Sequence, residues 1–90
     1  MRRAARVDAN QAEIVSALRD IGCSVLDLSR VGEGVPDLLV WSHKVGLVLL
    51  EVKIDKGKLT LEQRDFHQRW PVYVVRSIHE AFAVVGVSIS

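Results

Sequence analysis

The 90-residue sequence is poor in cysteine, proline and aromatic residues, with one Cys, two Pro and 6% aromatics. Its single cysteine, Cys23, excludes an intramolecular disulfide, and the first residues lack the apolar core of a signal peptide. We therefore expect a reducing, cytoplasmic compartment. No apolar run approaches the ~20 residues that cross a bilayer, which excludes a membrane-spanning protein. Cys23, His43 and His79 do not have the spacing of a zinc site.

A strong charge of either sign is also missing, since the formal net charge is only +1. This balance by itself does not indicate a nucleic-acid-binding protein, which usually has a strongly basic face. The basic residues are nevertheless clustered, at the N-terminus and after residue 52. The clusters are Arg2, Arg3 and Arg6, and Lys53, Lys56 and Lys58. They are either solvated segments or phosphate contacts, and composition alone leaves both interpretations open.

What the chain does have is apolar residues, at 49% of the total. Ninety residues make one small domain, so we expect residues 1–90 to form a single unit with one core. The apolar fraction exceeds what so small a core comfortably buries. This excess indicates a well-covered sheet or a buried interface, and we expect a homodimer.

Periodicity and capping signals predict seven elements in the order α-β-β-β-α-β-α, an α/β fold. Asp8 is a plausible N-cap for the first helix, Gly22 ends that helix, and Pro71 ends the second. Capping boxes are predicted at Thr60 with Gln63 and at Ser77 with Glu80. The predicted helices cover 8–21, 60–70 and 77–85, and the predicted strands cover 23–29, 37–41, 47–53 and 72–76.

The lengths of the connections predict a four-stranded sheet with both antiparallel and parallel neighbours. The five-residue turn "SHKVG" joins the second and third strands, which must be antiparallel neighbours. The segment after Lys53 runs through a helix and is long enough for a right-handed crossover to a parallel strand. Because the last two strands are almost wholly apolar, both sheet faces need a cover of helices or of a partner subunit.

The hairpin predicts where charged side chains meet. If its turn centres on Lys44, Asp37 lies opposite Glu51 and Trp41 lies opposite Leu47, and opposed residues share a face. Two carboxylates and the Lys53 ammonium then converge at one end of the sheet. Carboxylates this close repel unless a cation sits between them. An oxygen-preferring ion such as Mg²⁺ or Mn²⁺ resolves the conflict, and Lys53 can hold a phosphate oxygen or orient water.

Pro36 and Asp37, thirteen residues and then "EVK" resemble the PD-(D/E)XK nuclease signature. The wider string is more specific. "GVPDLLVW", "LEVK", "LTLEQ" and "VYVVRS" are similar to the small stand-alone VRR-Nuc domains, often found in phages and prophages. Pro71 stands where relatives often have glycine, which alters only a turn. The resemblance implies a restriction-endonuclease-like fold, similar to that of the Holliday-junction resolvases, in a bacterial or phage-infected cell.

The resemblance also implies roles for individual residues. Asp37 and Glu51 would bind the metal together with the Val52 carbonyl, and Lys53 would assist the attacking water. Gln63 also belongs to the signature, although capping alone would explain it.

Glu13 is the candidate for a further metal-site glutamate on the first helix, with solvated surface as the alternative. His67 is a phosphate contact or an ordinary helix-surface histidine, and the sequence leaves both open.

These residues predict a Mg²⁺- or Mn²⁺-dependent endodeoxyribonuclease that hydrolyses phosphodiester bonds by in-line attack of water. The resemblance alone suggests branched DNA, such as a four-way (Holliday) junction, as the substrate. A homodimer would place two such sites symmetrically. Two alternatives stay open: a non-catalytic DNA-binding or assembly module, and a nuclease that acts on flaps or nicked duplex.

Overall fold

Three helices and four strands follow one another in the predicted order. The computed structural model describes residues 10–87. None of the helices within this range is long and apolar enough to cross a bilayer. The helices are α1 (Gln11–Asp20), α2 (Leu61–Arg69) and α3 (Ile78–Val84), and the strands are β1 (Ser24–Asp27), β2 (Leu38–Ser42), β3 (Gly46–Val52) and β4 (Val72–Val75).

The four strands form one mixed sheet in the order β1-β2-β3-β4. β2 is antiparallel to β1 and to β3, whereas β3 and β4 are parallel. The predicted fold class is therefore confirmed. In the hairpin Leu39 lies opposite Leu49, and Trp41 lies opposite Leu47, which is the register that a turn centred on Lys44 predicts.

The ends of the hairpin strands differ by one residue from the prediction. β2 begins at Leu38 instead of Asp37, and β3 ends at Val52 instead of Lys53. The Asp37 side chain explains the difference, because its Oδ2 accepts a hydrogen bond from the Val52 N–H at 2.8 Å. The Asp37 carboxylate is thus the acceptor for the Val52 N–H at the point where the β2–β3 pairing ends.

The helix caps also differ in detail from the prediction. α1 has Asn10 as its N-cap, without a side-chain capping bond, while the predicted cap Asp8 lies outside the described residues. The Thr60–Gln63 capping box is confirmed in full. At α3, Ser77 accepts from the Glu80 N–H, but the Glu80 carboxylate bonds to the Arg76 N–H at 2.6 Å, one residue before the position that a capping box requires.

The core lies on one face of the sheet, beneath α1 and α3. Apolar residues at helical spacing on α1 meet the alternate residues of β2 and β3 that point to this face. Ser42 is buried among them, and its hydroxyl donates to the Val85 carbonyl at 2.9 Å. The buried apolar residues are Ile14, Leu18, Leu38, Val40, Leu50, Val52, Val75, Ala81 and Val85.

The opposite face of the sheet has less cover than the core face. α2 lies on this side, where Gln63 reaches β3, but none of the α2 residues is buried. Leu26, Trp41 and Leu47 on the strands remain exposed by 57%, 45% and 65%. The expectation that both faces are covered is therefore met by helices on the core face, and on the other face α2 leaves these three side chains open.

α2 owes its position partly to a close approach by Gly34, in the loop before β2. Gly34 has φ +80°, and a Cβ at this residue would lie 2.4 Å from the Glu62 carbonyl oxygen. Only glycine combines this backbone conformation with such a short separation. The loop that leads into Asp37 is thereby packed against the first turn of the helix that carries Gln63.

Gly34→Ala should therefore destabilise the protein more than Gly32→Ala does. Gly32 has nearly the same φ, +78°, but no atom lies within 4 Å of its ideal Cβ position. Left-handed backbone should cost each variant about 1–2 kcal/mol. The clash with α2 should add about 1–3 kcal/mol to Gly34→Ala alone. Urea denaturation of both variants measures the difference, and equal losses would contradict the close approach.

Candidate active site

Asp37 lies at the start of β2, where the chain enters the sheet from the glycine-containing loop. Its backbone carbonyl accepts from the Leu28 N–H at 2.7 Å, on the β1 side. Its carboxylate accepts from the Val52 N–H, on the β3 side. Extending the observed register by one residue places Asp37 opposite Glu51. The structure thus brings the two predicted carboxylate residues to the same end of the same hairpin.

Glu51 is charged but is buried as fully as the core residues, since only 2% of its surface is exposed. Its Oε2 accepts a hydrogen bond from Gln63 Nε2 at 3.1 Å and lies 3.7 Å from Lys53 Nζ. Burial of an ion pair usually costs more free energy than apolar residues of the same size would. A carboxylate that is kept here therefore contributes little to stability, and its position favours a chemical role.

Gln63 makes a hydrogen bond on each side of its amide, one within the cap of α2 and one to Glu51. Its Oε1 accepts from the Thr60 N–H at 2.9 Å, which completes the capping box of α2. Its Nε2 donates to Glu51. A single amide has one acceptor and one donor group, so it can cap the helix and orient the carboxylate at the same time.

The segment after Lys53 is held by two residues that the sequence did not single out. Arg76 Nη1 donates to the carbonyls of Asp55 at 2.7 Å and of Gly57 at 3.0 Å. The Asn10 side chain donates to the Arg76 carbonyl at 3.1 Å and to the Lys53 carbonyl at 3.5 Å. Asn10 fell inside the predicted first helix, which the sequence capped at Asp8, and Arg76 had no local signal at all.

His67 lies one turn after Gln63 on α2, and its Nε2 is buried. Burial lowers the pKa of this imidazole below its ordinary value, and the positive charge of nearby Lys53 lowers that pKa further. Desolvation disfavours the imidazolium, and so does a second cation. Both effects favour the neutral imidazole.

Asp27 is a further carboxylate at the same end of the sheet, on β1. Hydrogen bonds from the hydroxyl and the backbone N–H of Ser29 lower its pKa. Gln11 Nε2, from the buried face of α1, also donates to it at 3.4 Å. Its neighbour in the β1–β2 pair is the core residue Leu38, so Asp27 faces α1, away from the side on which Glu51 meets Gln63.

The donor set near Asp37 suits one class of metal. Carboxylates are hard oxygen donors, and Mg²⁺ is commonly held by one or two of them together with water and substrate phosphate. Within residues 10–87 no group of three or more His, Cys, Asp or Glu side chains could hold a metal. Glu13 is exposed on α1 and does not complete such a group. Its role, like that of the Val52 carbonyl, stays a prediction.

The mixed sheet flanked by helices brings an aspartate, a glutamate and a lysine to one strand end, and this fold is consistent with that of a nuclease. The family model of the VRR-NUC domain matches residues 3–71, which is more than half of the chain, and the protein belongs to this family. The family match ends where α2 meets β4, and β4 and α3 follow it. No curated protein and no solved structure matches the chain significantly.

Substitutions at the two residues of the Thr60–Gln63 capping box distinguish an effect on stability from an effect on nuclease activity. Thr60→Ala and Gln63→Ala each remove one of its two hydrogen bonds, so Thr60→Ala should lose about 1 kcal/mol of unfolding free energy, and Gln63→Ala should lose more because it also removes the hydrogen bond to buried Glu51. Only Gln63→Ala also frees the Glu51 carboxylate, and loss of such an orienting partner should lower nuclease activity about 10–100-fold. Parallel unfolding and DNA-cleavage assays measure both effects. Equal activities in the two variants would limit Gln63 to capping.

Proposed function

We propose that the protein is a Mg²⁺- or Mn²⁺-dependent endodeoxyribonuclease whose site consists of Asp37, Glu51, Lys53 and Gln63. The observation that carries this proposal is the Glu51 carboxylate, 2% exposed and held by Gln63 and Lys53, on the strand opposite Asp37. Membership of the VRR-NUC family supports it. Asp37 and Glu51 would hold the metal, which polarises the phosphoryl group and lowers the pKa of water when it is bound.

The protein side chains have separate tasks in the proposed hydrolysis. A water molecule loses a proton as its oxygen bonds to phosphorus, the ester bond on the opposite side breaks, and the departing oxygen takes up a proton, which leaves a phosphate monoester and a hydroxyl. Negative charge develops on the phosphoryl oxygens, where the Lys53 ammonium stabilises it. Lys53 is only 15% exposed, so its charge is weakly screened by solvent. Gln63 keeps the Glu51 carboxylate in place through the reaction.

DNA binding in this proposal uses the lysines that follow β3. Lys56 and Lys58 are exposed on the segment whose carbonyls Arg76 holds. They stand next to Lys53, so phosphates bound there would pass the carboxylates. The second basic cluster, Arg2, Arg3 and Arg6, lies outside the described residues.

Purified protein should cleave DNA in the presence of Mg²⁺ or Mn²⁺, and Glu51→Gln should lower the rate about 100-fold or more. The amide keeps the shape of the side chain but loses the charge that holds the metal. Asp37→Asn should lose activity for the same reason, with weaker Mn²⁺ binding in calorimetry. Because it removes one partner of a mostly buried ion pair and leaves the Lys53 charge uncompensated, Glu51→Gln should unfold at a lower urea concentration than the wild type.

A panel of labelled duplex, nicked, flap and four-way-junction DNA distinguishes the proposed substrates. We expect paired cuts in the junction. Preferred cleavage of flaps or nicks would assign the protein to those structures, and DNA binding without any cleavage would leave a non-catalytic binding module. Undiminished turnover by Glu51→Gln, with an unchanged circular dichroism spectrum, would contradict the site.

We further propose a homodimer formed through the exposed side of the sheet. Leu26, Leu39 and Leu49 are cross-strand neighbours there, as are Trp41 and Leu47, and we call these five residues the apolar face. The face contains no charged side chain, so it does not fit the DNA backbone. A second copy of the chain would bring an identical apolar face. The two faces would bury each other without burying an unpaired charge.

The position of the apolar face also suits paired cleavage. Glu51 follows Leu49 by two residues on the same side of β3, a distance of about 7 Å along a strand. A two-fold axis through the apolar face would therefore place both active sites beside the interface. Symmetric resolution of a four-way junction needs two sites related in this way.

Leu47→Asp should convert the dimer into a monomer, because it buries a carboxylate in an apolar interface. Leu61→Asp is the matched control, since Leu61 is 81% exposed on α2 and lies outside the apolar face. Light scattering should give twice the chain mass of 10.0 kDa for the wild type and for Leu61→Asp, and 10.0 kDa for Leu47→Asp. A wild-type mass of one chain, with paired junction cuts retained, would refute the dimer.

A further inference from the structure

His67 has a buried ring nitrogen that the proposed mechanism does not use. Its Nε2 is shielded from solvent and has no hydrogen-bond partner among residues 10–87. Buried polar atoms are nearly always paired, so this exception beside the proposed site calls for an explanation. The remaining question is which group could approach this nitrogen.

Helix geometry places His67 over the same site as Gln63. The two residues are four apart on α2, so their side chains lie on one face, one turn from each other. Gln63 contacts the Glu51 carboxylate from this face. Burial lowers the pKa of the imidazole, and the positive charge of Lys53 adds to that effect. His67 thus has a buried ring nitrogen, and it shares a helix face with Gln63, which binds the same carboxylate as Lys53.

The Lys53 ammonium makes only a long contact with the Glu51 carboxylate. Its nitrogen lies 3.7 Å from Glu51 Oε2, which is longer than the 2.7–2.9 Å of a charge-assisted hydrogen bond. An ammonium has three donors and no acceptor, whereas a neutral imidazole has one acceptor nitrogen. When the Glu51 carboxylate is engaged by a cation, its attraction for Lys53 weakens further. His67 Nε2, which is buried and has no partner among residues 10–87, is a candidate acceptor on the same side of the sheet.

We propose that His67 is a positioning residue that receives the Lys53 ammonium and aims it at the phosphate. The inference rests on the proposed nuclease site. In this arrangement His67 carries its proton on Nδ1, and Nε2 accepts from Lys53 Nζ while Glu51 holds the cation. Lys53 then keeps one position through the reaction, and its remaining donors point to the phosphoryl oxygens.

Two substitutions of His67 test the acceptor nitrogen separately from the aromatic ring. His67→Phe keeps an aromatic ring without an acceptor, and His67→Gln supplies an amide oxygen near the position of Nε2. His67→Phe should lower kcat about 10–100-fold with little change in KM, because Lys53 is misplaced while DNA contacts remain. His67→Gln should recover most of that loss. His79→Phe is the control that should cleave like the wild type, because His79 is an exposed residue on α3.

A spectroscopic measurement tests the contact without any cleavage. In ¹⁵N-labelled protein with Mg²⁺, the imidazole signals should show a proton on Nδ1 and a hydrogen-bonded acceptor at Nε2. Lys53→Met should shift the Nε2 signal towards that of a free acceptor. A proton on Nε2, or an Nε2 signal that ignores Lys53→Met, would overturn the inference, and so would equal kcat values for the Phe and Gln variants. Absent cleavage by the wild type would instead refute the nuclease, and this measurement would still report on the contact.

Discussion

The register of the β2–β3 hairpin is the constraint on which the site depends. Strand side chains alternate between faces, so a slip of one residue would send Asp37 and Glu51 to opposite sides of the sheet. The observed pairing, with Leu39 opposite Leu49, keeps them together. The Asp37 carboxylate adds its own hydrogen bond to the Val52 N–H at the last rung. One local geometry therefore supports both the end of the sheet and the convergence of the charged residues.

The environment of Glu51 shows how a small domain can bury a charge. Lys53 lies two residues along on the same side of the strand, and the capping residue of α2 supplies the hydrogen bond. Neither contact requires an additional helix or strand. Alternation along the strand places Lys53 on the side of Glu51, and the N-terminus of α2 places Gln63 there. The close packing of Gly34 against Glu62 brings that helix within reach. Loop, helix and strand are thus coupled at the point where the chemistry is proposed.

The two faces of the sheet have different tasks. One face is closed by α1 and α3 and holds the buried apolar core. The other carries Glu51 at one end of β3 and exposed Leu47 at the opposite end, with α2 beside the charged end. A chain of this size buries only part of its apolar surface within itself. The surplus lies on the same side of the sheet as the site, which links proposed assembly to proposed cleavage.

The sequence by itself determined the order of the elements, the mixed sheet, the hairpin register and the Thr60–Gln63 cap, because alternation, turn length and capping are local rules. Only the tertiary structure decided that Gln63 caps α2 and also binds Glu51, and that Asn10 and Arg76 hold the segment after Lys53. It also decided that His67 lies near Lys53 and that Glu13 is exposed. These contacts join residues distant in the chain, or depend on how α1 and α2 are rotated against the sheet, and no local pattern encodes either.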